Sequence, residues 1–367
     1  MSGGAEALVL ARPREFERRT LSFPAVGEND GLLRIEACGL CGTDHEQYTG
    51  HLAPAYGFVP GHEVVGIIEE AGTEALERWG VSIWDRVAVE VFQSCRACDA
   101  CRSGAYRRCD GHGLADMYGF IDVERAPGLW GGYASHLYLA PDAMLLPVPA
   151  SLDPVLATAF NPLGAGIRWA VEIPETGPGD IVAVLGPGIR GLSAAAAAKR
   201  AGAGFVMVTG RGDRDAPRLE AASAFGADLV VDIEVDDARQ RLHEATGERA
   251  DVVVDVTAKA PAVPGEALHL VRPGGAVVLA GTRGSPDAPG FDPDVIVYKE
   301  IRVLGALGVD AKNYRAALDL LGEGAFPFAE LPRRVAGFGD LEDLVRTMAG
   351  ESEGAAPPVH AVFQPDA

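Results

Sequence analysis

The chain has 367 residues, 48% of them hydrophobic, and a formal net charge of −20. That length predicts two domains rather than one core, and the acidity argues against a nucleic-acid partner, whose phosphates demand basic surfaces. No run of about 18 apolar residues lacks interruption, and no apolar stretch follows a basic start in the first thirty residues, so neither a membrane span nor a secretory signal is expected.

The first 155 or so residues are punctuated by glycine and proline, with short β-like runs such as LLRIEAC, HEVVGIIEEAG, DRVAVEVF and YASHLYLA. Their length and alternation predict strands of a partly open β-rich fold. Two polar motifs interrupt them: Cys38-Gly39-Leu40-Cys41-Gly42-Thr43-Asp44-His45-Glu46 and Gly61-His62-Glu63. A thiolate, an imidazole and a carboxylate read as a zinc shell with an open position. They read equally as a buried thiol and a surface histidine.

Next comes CRACDACRSGAYRRC, in which Cys95, Cys98, Cys101 and Cys109 follow a C-x₂-C-x₂-C-x₇-C spacing. Four soft ligands on a tight loop suit a tetrahedral, closed, structural zinc. Disulfides across two-residue gaps would be strained. With all six cysteines assignable to metal chemistry, a reducing cytoplasm is expected.

From about residue 180 the texture changes. IVAVLG, FVMVTG, ADLVVD, DVVVDV and AVVLAG recur as short apolar runs separated by helix-like stretches such as APRLEAASAFGA and DARQRLHEATG. That alternation predicts βαβ units and a parallel sheet. IVAVL leads into Gly186-Pro187-Gly188-Ile189-Arg190-Gly191 and then an alanine-rich helix. This is G-x-G-x-x-G in its strand–turn–helix context, where backbone amides and the helix N-terminus receive a pyrophosphate. The second strand ends Val208-Thr209-Gly210-Arg211-Gly212-Asp213-Arg214, with no acid at its tip. Arg211 and Arg214 suit the 2′-phosphate of NADP, while Asp213 is placed for the ribose hydroxyls of NAD; the balance favours NADP.

GLCGTD, GHEVVG, DRVAV, the four-cysteine lobe, WGGYA, GPGIRG and RPGGAVVLAG together make the chain similar, nearly end to end, to the zinc-dependent medium-chain alcohol/polyol dehydrogenases. The resemblance implies an α/β chain: a GroES-like β-rich catalytic domain (1–157 and 301–367, zinc lobe 95–109) around a Rossmann doubly wound parallel-sheet domain (158–300), with the active site in the cleft between them. It implies Cys41 and His62 as catalytic zinc ligands, Glu63 as a carboxylate able to enter the shell, Thr43 as the hydroxyl that takes the alcohol proton, and Cys38 as structural. Two zincs per subunit, a small alcohol or carbonyl substrate, reversible hydride transfer with NADP or NAD, and a homodimer or homotetramer follow from the same likeness.

Two positions depart from the family pattern. Where polyol-type members have Glu-Pro-Leu, this chain has Asn161-Pro162-Leu163, a weak neutral ligand that leaves Glu63 to compensate. Five residues after Cys41, where many members have histidine, stands Glu46, placed to relay a proton or bind a substrate hydroxyl. Tyr56, Tyr118, Phe120 and Trp130 either line the substrate pocket or pack the core. The competing readings are a zinc-free enoyl or quinone reductase and a non-catalytic dinucleotide sensor, both resting on Asn161 alone.

Overall fold

A computed structural model describes residues 3–52, 56–284, 287–352 and 357–367. The chain divides into two compact units. The first comprises 1–160, 310–323 and 332–367, and the second 161–309 and 324–331.

The first unit is built on the ten-residue strand Gly31–Leu40, which pairs antiparallel with Glu63–Ala71, His136–Leu139 and His360–Phe363. Arg86–Val89, Leu145–Pro147 and Arg333–Ala336 complete a seven-stranded sheet. Leu33, Ile35, Val64, Ile68, Val87, Leu137 and Phe363 form its core, each worth roughly 1.5–3 kcal/mol on full burial. Two bulges interrupt the pairing of Gly31–Leu40 with Glu63–Ala71.

The segment carrying the four clustered cysteines is tied into this unit at several points. Tyr106 donates its hydroxyl hydrogen to the fully buried Glu90 (2.9 Å) and accepts from the Ala311 amide (2.6 Å). Arg107 pairs with Asp310, both largely buried. His112 bridges Asp116 and Asp142 at 2.9 Å each.

Burial pushes the Glu90 carboxyl up to about 8, against the lowering influence of the Tyr106 hydroxyl and the Phe92 amide. A folded-state value above the unfolded one favours the protonated acid in the fold. That stabilisation is complete below about pH 4.5 and is lost as pH rises through about 8. Thermal melts should therefore show the advantage of Glu90→Gln over wild type growing between about pH 5 and about pH 8, then levelling. A difference independent of pH would mean that Glu90 does not titrate in this window.

The second unit is a six-stranded, wholly parallel sheet in the order Leu229–Asp232, Phe205–Gly210, Ile181–Leu185, Ala250–Asp255, Val271–Leu279, Arg302–Gly305. By chain order that is 3-2-1-4-5-6, the doubly wound arrangement with its switch point between the first and fourth strands. Because Arg302–Gly305 is the sixth strand of this sheet, the chain stays in this unit through Val309, beyond the 300/301 boundary expected from sequence. At the other crossover, residues 158–160 stay with the first unit. Residues 324–331 return to the second, where Phe328 packs edge-on against Phe225 (4.9 Å). Among the described residues no helix is long and apolar enough to cross a membrane.

Candidate active site

The strand Gly31–Leu40 runs directly into Cys41, the N-cap of the helix Gly42–Thr49. The cap is reciprocal: the Asp44 amide donates to the Cys41 sulfur, and the Cys41 amide donates to Asp44 Oδ2 at 2.8 Å. A sulfur at a helix N-terminus is favoured as thiolate. Strand pairing sets Glu63 opposite Gly39, which brings His62 and Glu63 to Cys41. The ligand atoms of Cys41, His62 and Glu63 all lie within 4.8 Å of one another, and all three residues are buried. Cys41 Sγ is 3.3 Å from His62 Nε2. A Cβ on residue 39 would stand 2.4 Å from Glu63 Oε2, so a glycine there is what admits the carboxylate.

Behind this trio, His62 Nδ1 faces Asp44 Oδ1 at 3.9 Å, and neither atom has a hydrogen-bond partner among the described residues. A carboxylate behind the ring orients a metal-binding imidazole through its second nitrogen. The Tyr133 hydroxyl is buried nearby, also without a hydrogen-bond partner among the described residues. Burial first, then the charge of Asp44, pushes its phenol well above its ordinary value. A soft sulfur, an imidazole nitrogen and a carboxylate, with buried polar atoms held behind them, are a donor set that fits zinc.

Thr43 lies half-buried in the first turn of the same helix, and Glu46 is buried one turn further on. His45 instead pairs with Glu351 at 2.7 Å, and Arg14 grips that carboxylate through two hydrogen bonds. Arg14, then His45, holds Glu351 at about 2, well below its ordinary range. Of the four aromatic candidates, Tyr118 and Trp130 are core residues: the Tyr118 hydroxyl accepts from the Ala140 amide and Trp130 Nε1 donates to the Arg125 carbonyl. Tyr56 packs, partly buried, against the same core. Phe120 stands beside the Cys41–His62–Glu63 group, its ring 6.0 Å from that of His62. Cys38 is fully buried and its thiol is pushed well up by burial.

Cys95, Cys98, Cys101 and Cys109 form a second group with all four sulfurs within 4.8 Å, and among the described residues no cysteine is in a disulfide. The amides of Cys98, Cys101 and Gly111 donate to the sulfurs of Cys95, Cys98 and Cys109 at 3.4 Å each. Backbone N–H groups turned towards sulfur stabilise thiolates before any metal arrives. Four sulfur donors with no fifth position describe a closed site.

In the second unit, the turn Gly186–Gly191 leaves the strand Ile181–Leu185 and opens the helix Ile189–Arg200, capped by Gly188. A Cβ at residue 191 would lie 1.8 Å from the Gly186 carbonyl oxygen, so the third glycine is what lets this turn close. The space over Gly186 is bounded by Thr257, just past the fourth strand, which places the turn at the topological switch point. Asp255, fully buried at the end of that strand, pairs with Arg283 and accepts from the Thr257 amide and hydroxyl at 3.0 and 2.7 Å. Arg190 Nη2 donates to Asn161 Oδ1 at 3.0 Å. Arg211 caps the helix Gly212–Ala222, with its side chain 60% exposed and 3.5 Å from Glu234. Asp213 and Arg214 follow in the first turn of that helix.

Sequence reasoning missed Asp44, Tyr133 and the Arg283–Asp255 pair. A signal existed only for Asp44: the Cys-x-x-Asp spacing is that of a capping box.

Comparison with known proteins matches residues 27–150 to the alcohol dehydrogenase GroES-like domain and residues 191–323 to the zinc-binding dehydrogenase domain. The chain is 66% identical, over the whole of both proteins, to "Probable alcohol dehydrogenase" of Mycobacterium tuberculosis. It is 31% identical to sorbitol dehydrogenase of Bacillus subtilis, covering 87% of this chain and 86% of that one. A zinc-binding dehydrogenase target from Sinorhizobium meliloti, solved bound to NADP, superposes with a TM-score of 0.84 at 26% identity, covering 99% of this chain and 100% of that one.

Proposed function

We propose that this chain, which belongs to the zinc-dependent medium-chain dehydrogenases and is an alcohol dehydrogenase, oxidises polyhydroxylated alcohols reversibly with NADP, its catalytic zinc held by Cys41, His62 and Glu63. The observation that carries the reading is the Cys41–His62–Glu63 cluster over Gly39, which supplies three protein ligands from one unit. The four-cysteine site would hold a second, structural zinc, making two per subunit. Zinc at the first site supplies Lewis-acid acidification of the substrate hydroxyl, and the nicotinamide supplies the hydride acceptor.

The protein's own residues do the rest. Asp44 Oδ1 faces His62 Nδ1 across 3.9 Å and would orient the ring by accepting from that nitrogen once the gap closes on metal loading. Thr43 accepts the proton released by the substrate hydroxyl, and Glu46, on the same helix, passes it on. The amides opening the helix Ile189–Arg200 receive the pyrophosphate. Glu46 also offers a substrate hydroxyl an acceptor, and two relatives are named for polyols, sorbitol dehydrogenase and the erythritol/L-threitol dehydrogenase of Mycolicibacterium smegmatis.

NADP is supported by the tip of the second strand. A Cβ on Gly210 would meet Pro187 at 2.7 Å and Leu219 at 2.8 Å, so no ribose-binding acid fits there, and the exposed Arg211 and Arg214 follow. A 2′-phosphate would take Arg211 from Glu234. Steady-state assays on sugar alcohols and simple alcohols with both cofactors should favour NADP. Arg211→Ala should raise KM for NADP roughly tenfold while moving that for NAD by less than about twofold. Wild-type preference for NAD would remove the NADP assignment.

The strand Arg302–Gly305 ends the sheet, and Val297, Tyr298 and Leu307 near it are 71%, 83% and 52% exposed. An open strand edge beside exposed apolar side chains supports a homo-oligomer formed through this face. Cysteines gathered as metal ligands, which need reduced thiolates, support a reducing, cytoplasmic setting.

A further inference from the structure

Arg190 is an unusual residue for its place. It lies in the first turn of the helix Ile189–Arg200, where unpaired amides and the positive end of the helix dipole gather. A cation is disfavoured there until an anion arrives, so its side chain needs an acceptor elsewhere. The structure supplies one within the same unit: Asn161 Oδ1, 3.0 Å from Nη2. The guanidinium also lies over the ring of Trp169, 5.2 Å from its centroid. Asn161 is 3% exposed and Trp169 7%, so both partners are fixed by packing.

That packing is close. Asn161 belongs to the helix Phe160–Ile167, whose Gly166 faces Ser193 so tightly that a Cβ would sit 2.4 Å from the Ser193 carbonyl oxygen. Trp169 lies in the π-helical segment Arg168–Glu172 and donates Nε1 to the Gly308 carbonyl at 3.0 Å. The acceptor, the ring and the helix carrying Arg190 are therefore packed as one block.

We infer that Asn161 is a positioning residue for the dinucleotide turn, holding Arg190 so that the first turn of the helix is set for a pyrophosphate, and is not a zinc ligand. The inference rests on the dinucleotide-dependent reading above. A neutral amide accepts the hydrogen bond without cancelling the charge of the guanidinium, whereas a carboxylate at 161 would form an ion pair with it. The departure at 161 and the arginine inside the glycine turn are then one feature. The cluster of Cys41, His62 and Glu63 already offers three protein ligands, while the side-chain oxygen of residue 161 accepts from Arg190.

The test measures zinc per subunit and the dissociation constants of NADPH and NADH, by fluorescence titration, for wild type, Asn161→Ala, Arg190→Ala and the double variant. Asn161→Ala should weaken cofactor binding about tenfold, the loss of one buried hydrogen bond to a charged group, with zinc unchanged. The double variant should bind no more than about twofold weaker than Arg190→Ala alone, since the two residues act through one contact. If Asn161→Ala does not fold, Asn161→Asp, which keeps shape and acceptor but ion-pairs with the Arg190 guanidinium and cancels its charge, should weaken cofactor binding about tenfold with zinc unchanged. Loss of one zinc with cofactor affinity intact would make Asn161 a ligand and overturn the inference. So would additive losses in the double variant. A wild type that binds neither dinucleotide would instead overturn the functional reading on which it rests.

Discussion

Replacing Cys41 by alanine should lower zinc from two per subunit to one and reduce alcohol oxidation by roughly 10³-fold or more. The variant removes the thiolate, leaving His62 and Glu63 as the remaining members of the three-residue group. Two neighbouring ligands hold zinc poorly compared with three. The helix Gly42–Thr49 would also lose the sulfur that accepts from the Asp44 amide, at a cost of about 1 kcal/mol, too little to unfold the unit. Plasma mass spectrometry on untagged protein and a progress curve with the best alcohol of the panel read the two effects. One zinc in both wild type and variant would remove the metal-assisted reaction and favour the zinc-free reductase. Two zincs with cofactor binding but no turnover on any alcohol would favour the dinucleotide sensor.

The cysteine lobe and the glycine turn are legible in the sequence because each is local. Four thiols within fifteen residues, or three glycines between a strand and a helix, carry their geometry in their spacing. The parallel sheet is legible for a related reason: its buried strands are continuous apolar runs. The Cys41–His62–Glu63 trio is only half legible. Nothing in the spacing of Cys41 and His62 says that strand pairing, through two bulges, sets Gly39 opposite Glu63, and that register is what delivers the carboxylate. Asp44 was legible as a helix cap and hidden as a partner of His62, because a local motif also served a distant residue. Tyr133, Arg283 and the Arg190–Asn161 bond join residues far apart in the chain, and single-sequence patterns carry no record of such contacts.

Replacing Cys98 by serine should also remove one zinc, but the other one, with the opposite division between stability and catalysis. Cys98 serves the lobe twice, as one of four sulfurs and as the N-cap whose sulfur accepts from the Cys101 amide at 3.4 Å. Serine can still cap, but it is a poor ligand for a soft site. The lobe has scant apolar core of its own: Cys95, Cys98 and Cys101 are only partly buried, and the helix Asp99–Arg102 buries no residue. On the proposed reading metal coordination would be the larger part of what orders it, and its loss should cost several kcal/mol, lowering the melting temperature by about 10 °C. Damage should stop where protein contacts take over, at Tyr106 on Glu90, Arg107 on Asp310 and His112 between Asp116 and Asp142. Hydrogen exchange should accelerate across 95–105 and much less beyond, as expected of a local unfolding unit. The zinc that remains should be the one lost in Cys41→Ala, and the surviving enzyme should turn over alcohol within about tenfold of wild type at temperatures below its melt. Retention of both zincs, or an unchanged melting temperature, would show that the four thiols do not hold a structural metal.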